Sequence, residues 1–200
     1  LGREIVNAGK IQILASFDAL DSNEIESHKV AIKEGLDLFE KIFGYKSTSF
    51  IANNFIWDSS LNNVLAKSGV ATFQGMKYQI LPLFNSTTRK MIRHYTGEKN
   101  DLGQIYLVRN CVFEPSQNTN TDSVSACLKD IESAFFWKKP AIISSHRVNY
   151  IGFIDTKNRS ENLTDLLLLL NRMLTKWPDI EFMSSDKLAQ LIRAKNTTNE

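Results

Sequence analysis

The sequence predicts an α/β protein. Segments that read as strands alternate about five times with segments whose apolar residues recur at helical spacing. Two short segments that read as strands, residues 104–108 and 141–145, contain the apolar runs 105–108 and 141–143, and each run ends abruptly in polar or charged residues, as parallel strands do at a ligand-binding edge. About five units are fewer than the roughly seven or eight that close a barrel, so either the sheet is open or the chain is part of a larger barrel.

Composition indicates an ordinary globular protein. The chain has 200 residues, of which 42% are hydrophobic and 23% charged, and this predicts one domain over residues 1–200. The formal net charge is only +2, from 24 basic and 22 acidic residues. Because the basic residues are scattered, we expect no nucleic-acid partner.

The apolar and cysteine patterns exclude two further classes. No run approaches the ~18 consecutive apolar residues of a membrane span; the longest leucine run, 166–170, lies inside an amphipathic helix. Cys111 and Cys127 are the two cysteines, and neither has C-x-x-C or Cys/His spacing for zinc. We expect both to be free, buried thiols.

In the first half of the chain, residues 11–17 alternate as a strand that ends at Asp18. Asp21 and Glu24 form a capping-box-like start to a helix that ends at Gly44. Residues 48–52 and 70–73 read as strands, separated by a short helix between Ser59 or Ser60 and Gly69. Residues 75–103 show a weak pattern and predict an insertion of loop and short strand, with an edge strand at 76–81.

In the second half, residues 104–108 read as a strand and residues 124–135 as a helix. The apolar run before His146 is the next strand. Ser160 is expected to cap a helix that ends at Trp177 and turns five leucines toward the sheet: Leu163, Leu166, Leu167, Leu170 and Leu174. A short strand at 181–183 and a last helix after Ser184 or Ser185 complete the pattern.

His146 is the first candidate for chemistry. It stands at the carboxyl end of the strand before it, and an imidazole there can donate or accept a proton near neutral pH. Arg147 beside it can hold an anion or sugar hydroxyls. The alternative is a histidine hydrogen-bonded to the backbone.

Four more residues are candidates for substrate binding at strand ends. Arg109 and Glu114 follow the strand at 104–108 and either bind substrate or form an ion pair that fixes the loop. Asn54 and Trp57 follow the strand at 48–52 and either face a sugar or serve as local hydrogen-bonding and packing groups.

Several stretches together resemble the polysaccharide deacetylase family, also called the nodulation-deacetylase homology domain. "GLDLFEKIFGYKSTSFIA" (35–52) is similar to the family's helix, glycine and strand before an Arg-x-Pro-Tyr-type strand tip. "AIISSHR" (141–147) resembles its last motif, a strand that ends in histidine. "WPDIEFMSSDKLAQLI" (177–192) resembles its closing segments. At the strand tip this chain reads Ala52-Asn53-Asn54-Phe55, without the arginine and proline of the family.

The resemblance implies a distorted (β/α) barrel and a metal-dependent hydrolase that removes acetyl groups from oligo- or polysaccharides. His146 would protonate the departing amine or alcohol. A divalent metal, usually zinc, is expected for the family, but its Asp pair and His-x-x-x-His motif do not appear in this chain. The expectation is therefore a barrel incomplete at the amino terminus, with no metal ligands among these residues.

Two functions follow from these observations. The first is a polysaccharide deacetylase-like hydrolase with His146 as general acid and Asn54, Trp57, Arg109, Glu114 and Arg147 on the substrate. The second is a non-catalytic carbohydrate-binding module that uses the same strand-end groove. Metal ligands upstream would favour the first, and saccharide binding that EDTA leaves unchanged would favour the second.

Overall fold

The computed structural model describes residues 4–7, 10–13, 15–83, 89–117 and 121–197. This part of the chain is a mixed α/β fold, as predicted. Its helices are α1 Ser22–Phe43, α2 Leu61–Lys67, α3 Ser123–Phe136, α4 Thr156–Lys176 and α5 Ser185–Thr197. Its strands are β1 Glu4–Asn7, β2 Lys10–Ile13, β3 Ser49–Phe50, β4 Thr72–Gly75, β5 Tyr78–Ile80, β6 Met91–Arg93, β7 Ile105–Val108, β8 Cys111–Val112 and β9 Ile143–Ser144.

The described strands form four small sheets. β3, β4 and β7 make a parallel three-stranded sheet, and β8 and β9 make a parallel pair. β1 pairs with β2 and β5 with β6, both antiparallel. No sheet closes on itself among these residues, so the distorted barrel stays a prediction.

The chain divides into two compact units. The first comprises Leu1–Val108 and Ser184–Glu200, and the second comprises Arg109–Met183. No helix in the described ranges is both long and apolar enough to cross a lipid bilayer.

The first unit is built around the β3–β4–β7 sheet. Phe73 on β4 stacks against Trp57 and Tyr106, with ring centroids 5.7 Å and 5.1 Å away, and Leu61 and Leu65 of α2 are fully buried in the same core. Burial of these aromatic and leucine side chains stabilises the unit, at roughly 25 cal/mol for each Å² of apolar surface removed from water.

The predicted boundaries of α1 are confirmed. Asp21 Oδ1 accepts hydrogen bonds from the backbone amides of Asn23 and Glu24 at 2.8 and 3.0 Å, and the Glu24 carboxylate accepts one from the Leu20 amide. Gly44 ends the helix with φ = 75°, a left-handed conformation that glycine adopts without a Cβ clash.

The strand predicted at residues 11–17 is shorter than expected. β2 ends at Ile13, and the chain turns at Ala15, whose carbonyl accepts the Asp18 amide. Alternation alone does not reveal this turn, because Ala15 and Phe17 continue the apolar pattern beyond the strand. The weak segment before β7 does contain a short strand, β5, close to the predicted edge strand.

The second unit packs α3 and α4 together beside the β8–β9 pair. The core consists of buried apolar residues from β8, the residue after it, α3 and α4: Cys111, Phe113, Val124, Cys127, Ile131, Leu169 and Met173. Both cysteines are free and buried, as the sequence predicts.

Two predictions for the end of the chain are wrong, and a third is right only in part, since Leu166 and Leu170 of the five predicted leucines do pack against the core. The cap of α4 is Asp155, whose Oδ1 accepts the Lys157 amide, and Ser160 lies within the helix, bonded back to Thr156. The buried face of α4 contains Leu169 and Met173, while three of the leucines expected to face inward are exposed: Leu163, Leu167 and Leu174. Residues 181–183 form no strand. Because the leucine run covers every side of the helix, periodicity cannot select the buried face.

Candidate active site

His146 lies just beyond β9, where it precedes a single 3-10 turn, Arg147–Tyr150. Its side chain is 59% exposed, and its Nδ1 lies 2.6 Å from Glu114 Oε1. The Glu114 side chain is only 6% exposed. One ring nitrogen of His146 therefore contacts a buried carboxylate, while much of the ring remains open to solvent.

Parallel pairing of β8 and β9 explains why these two residues meet. Val112 on β8 is in register with Ser144 on β9. Glu114 and His146 each follow two positions later, so both lie beyond the carboxyl ends of neighbouring strands. Side chains at that edge converge in parallel sheets.

Hydrogen bonding fixes the tautomer of the neutral His146 ring. Glu114 Oε1 accepts the short bond from Nδ1, which requires the proton on Nδ1 when the carboxylate is ionised. Nε2 then carries the lone pair in the neutral ring and a donor proton in the imidazolium. A carboxylate that orients a histidine in this way also stabilises the imidazolium that forms during proton transfer.

Asn149 holds the carboxylate from the other side. It is fully buried, and its Nδ2 donates to Glu114 Oε2 at 2.8 Å and to the His146 carbonyl at 2.9 Å. Its Oδ1 accepts the Ser116 amide at 3.1 Å. Since an amide oxygen alone can accept a backbone N–H, this last bond fixes which way the Asn149 amide points.

A second layer of polar groups surrounds Asn149. Asn162 of α4 donates from Nδ2 to the Asn149 carbonyl at 2.9 Å and to Ser116 Oγ at 2.8 Å. Asn158 donates from Nδ2 to the Val148 and Ile151 carbonyls, which ties the turn to the start of α4. The turn that follows His146 is thus attached to a helix through side-chain amides.

Two hydroxyl groups, one before His146 in the sequence and one after it, are paired with each other. Ser145 Oγ and Tyr150 Oη are 2.8 Å apart, and Asn149 Nδ2 also reaches Ser145 Oγ at 3.3 Å. Ser145 and Tyr150 are both half-buried. This pair adds a hydrogen-bonding group to the site that the sequence alone did not indicate.

The remaining candidates of the second unit lie apart from this hydrogen-bond network. Arg147 is exposed and Arg109 is half-buried. The sequence allows an ion pair between Arg109 and Glu114, but the described residues do not form it. Glu114 is paired with His146 instead.

Asn54 and Trp57 belong to the first unit. Trp57 is 3% exposed and donates from Nε1 to Asn62 Oδ1 at 3.2 Å. Asn54 is exposed and adopts φ = 52° in a 3-10 turn, a left-handed conformation that asparagine tolerates better than most residues. Trp57 therefore packs in the core of the first unit, and Asn54 lies at an exposed turn.

The other two histidines are engaged elsewhere. His94 is buried, with Nδ1 3.0 Å from Glu98 Oε2 and Nε2 3.0 Å from Gln79 Oε1, and its ring stacks on Tyr106. His28 lies edge-on to Phe17. No group of three or more His, Cys, Asp or Glu side chains suitable for a metal ion occurs within the described ranges, so those residues do not fit the zinc expected from the resemblance.

Comparison with known proteins adds no relative. No family model, curated protein or solved structure matches this chain. Functional inference therefore depends on the His146 site and on the sequence motifs that surround it.

Proposed function

We propose that this chain is a carbohydrate-active hydrolase of the polysaccharide deacetylase type, which removes acetyl groups from a glycan with His146 as the general acid. The observation that carries the proposal is the 2.6 Å hydrogen bond between His146 Nδ1 and the buried carboxylate of Glu114. It supports a proton-transfer role because the pair leaves the other ring nitrogen for substrate.

The proton moves through Nε2 of His146. Water, the second substrate, adds to the acetyl carbon and gives up a proton to solvent, which forms a tetrahedral intermediate. As the intermediate collapses to acetic acid, the bond from the acetyl carbon to the sugar nitrogen or oxygen breaks. The imidazolium donates its Nε2 proton to that atom, so the sugar leaves as an amine or an alcohol. Glu114 accepts the hydrogen bond of Nδ1 and stabilises the imidazolium before the transfer. General acid catalysis of this kind contributes about 10²–10⁴-fold to rate.

The substrate class comes from the resemblance of the strand-end and closing motifs to the deacetylase family. The proposal includes the distorted (β/α) barrel of that family, in agreement with the parallel pairing of β3–β4–β7 and β8–β9. Arg147 is exposed directly after the catalytic histidine, where a guanidinium can donate to sugar hydroxyls. No step is assigned to a metal, because the described residues do not supply its ligands.

The first test is His146→Ala in the natural full-length protein, with acetate release from acetylated oligosaccharides as the measurement. We expect turnover to fall by about 10²–10⁴-fold, the usual contribution of a general acid. His28→Gln is the matched control, since His28 packs against Phe17 in the first unit, and it should leave turnover unchanged.

Unaltered turnover in a folded His146→Ala protein would remove the general-acid assignment. Saccharide binding without acetate release, unchanged by EDTA, would instead support the non-catalytic binding module.

A further inference from the structure

We infer that Asn149 is a positioning residue of the His146 site: its buried amide holds the Glu114 carboxylate in the orientation that sets the tautomer of His146. This inference rests on the proposed function for its chemical purpose. The geometry that supports it is independent of any substrate.

The hydrogen bonds of Asn149 leave its side chain a single orientation. Oδ1 accepts a backbone amide from Ser116, and Nδ2 donates to Glu114 Oε2 at 2.8 Å. A rotated amide would place its NH₂ group against another donor and its oxygen against a carboxylate. The rotated amide would therefore leave buried polar atoms without hydrogen bonds. The free-energy cost of such atoms is larger than the net free energy that an ordinary hydrogen bond contributes.

Glu114 depends on this amide because its two oxygens have different partners. Oε1 accepts the bond from His146 Nδ1, while Oε2 accepts Asn149 Nδ2 and, at a longer 3.4 Å, the His146 backbone amide. Without the Asn149 donor, Oε2 retains only the long contact. The carboxylate is then free to rotate, and the bond that keeps the proton on Nδ1 weakens.

Asn149 also fixes the histidine backbone. Its Nδ2 and its own backbone amide both donate to the His146 carbonyl, at 2.9 and 3.1 Å. Asn149 thus positions the imidazole both through the His146 backbone and through Glu114, the carboxylate that binds the ring.

The experiment measures the tautomer of His146 by ¹⁵N NMR of the imidazole in the 200-residue chain, at a pH where the ring is neutral. The chain has only three histidines, so His28→Gln and His94→Gln variants assign the signals. In the unaltered chain we expect the Nδ1–H form to predominate. In Asn149→Ala and Asn149→Leu we expect the ratio to shift toward Nε2–H by roughly fivefold, the ratio that corresponds to one ordinary hydrogen bond.

Asn110→Ala is the matched control. Asn110 also joins two backbone segments of the second unit, through the Pro140 carbonyl and the Ile142 amide, but contacts neither Glu114 nor His146. Its loss should leave the tautomer ratio unchanged. An equal ratio in folded Asn149 variants and the unaltered chain would overturn the inference.

A measurement on the unaltered chain covers the case in which neither Asn149 variant folds. The side-chain NH₂ protons of Asn149 should exchange with solvent far more slowly than those of an exposed asparagine such as Asn54. Exchange at the exposed rate would overturn the inference without any substitution. Absence of acetate release would contradict the proposed hydrolase but would leave the tautomer result as it stands, so the two failures are distinguishable.

Discussion

At the scale of single residues, Glu114 carries the greatest consequence for chemistry. A buried carboxylate accepting a bond from an exposed histidine forms a charge-assisted pair, and such bonds contribute roughly 1.5–3 kcal/mol. In the native chain His146 Nδ1 and Asn149 Nδ2 bind different oxygens of Glu114. In Glu114→Gln the side chain has one oxygen, which both donors must share.

We therefore expect Glu114→Gln to lower turnover of an acetylated glycan by about 10- to 100-fold, equivalent to that charge-assisted bond. Initial rates of acetate release in the full-length protein test this, with circular dichroism to establish that the variant folds. Glu132→Gln is a suitable control because Glu132 forms an exposed ion pair with Lys176. A folded Glu114→Gln protein with the original rate would contradict the role of the carboxylate.

The two cysteines give a second prediction at this scale. Burial raises the pKa of Cys111 to about 12, with smaller contributions from Cys127 and Asp130, and burial with the Asp130 charge raises the pKa of Cys127 to about 12. At pH 8 each thiol is ionised to only about one part in ten thousand, and the thiolate is the reactive form. We expect iodoacetamide to label neither cysteine in the folded chain and both in urea, as read by mass spectrometry. Rapid labelling of the folded chain at pH 8 would show that the thiols are accessible.

At the scale of elements, α4 shows how a helix start is chosen between two candidates. Asp155 is extended and its carboxylate accepts the Lys157 amide at 2.9 Å, so it fills the N-cap position. Ser160, the cap predicted from sequence, instead bonds back to the carbonyls of Thr156 and Lys157. An aspartate five residues upstream was available in the sequence, but a serine before the leucine run offered the same signal.

We expect Asp155→Ala to lower the free energy of unfolding by about 1 kcal/mol, the usual effect of removing an N-cap. Ser160→Ala should be neutral or slightly stabilising, because alanine has the higher helix propensity and no cap is lost. Urea denaturation followed by circular dichroism compares the two. Equal losses would mean that Asp155 does not cap α4.

At the scale of the whole molecule, patterns set by local chemistry could be predicted and those set by packing could not. The start of α1 at Asp21 and its end at Gly44 follow from side-chain and φ preferences of single residues, and the structure confirms both. The buried face of α4 depends on what packs against Leu169, and a continuous leucine run holds no such information. The alternation of strands and helices was enough to predict the α/β class.

The candidate site divides in the same way. His146 and Glu114 could be predicted as candidates because each follows an apolar run, and the end of such a run is visible in the sequence. Their pairing required the register of Val112 with Ser144, which no local pattern fixes. Asn149 was missed because a buried asparagine in a turn has the same sequence signal as an exposed one.

The last prediction concerns zinc and the chain as a whole. Each histidine is engaged in a different place: His94 by Gln79 and Glu98, His146 by Glu114, and His28 beside Phe17. A zinc site needs three or four ligands on one ion. His94 already bonds through both ring nitrogens, and the described residues bring no three possible ligands together. We therefore expect equimolar zinc to leave the melting temperature of the 200-residue chain unchanged, and EDTA to do the same. A saturable stabilisation by zinc, lost in His146→Ala and retained in His28→Gln, would instead place a metal at the His146–Glu114 pair.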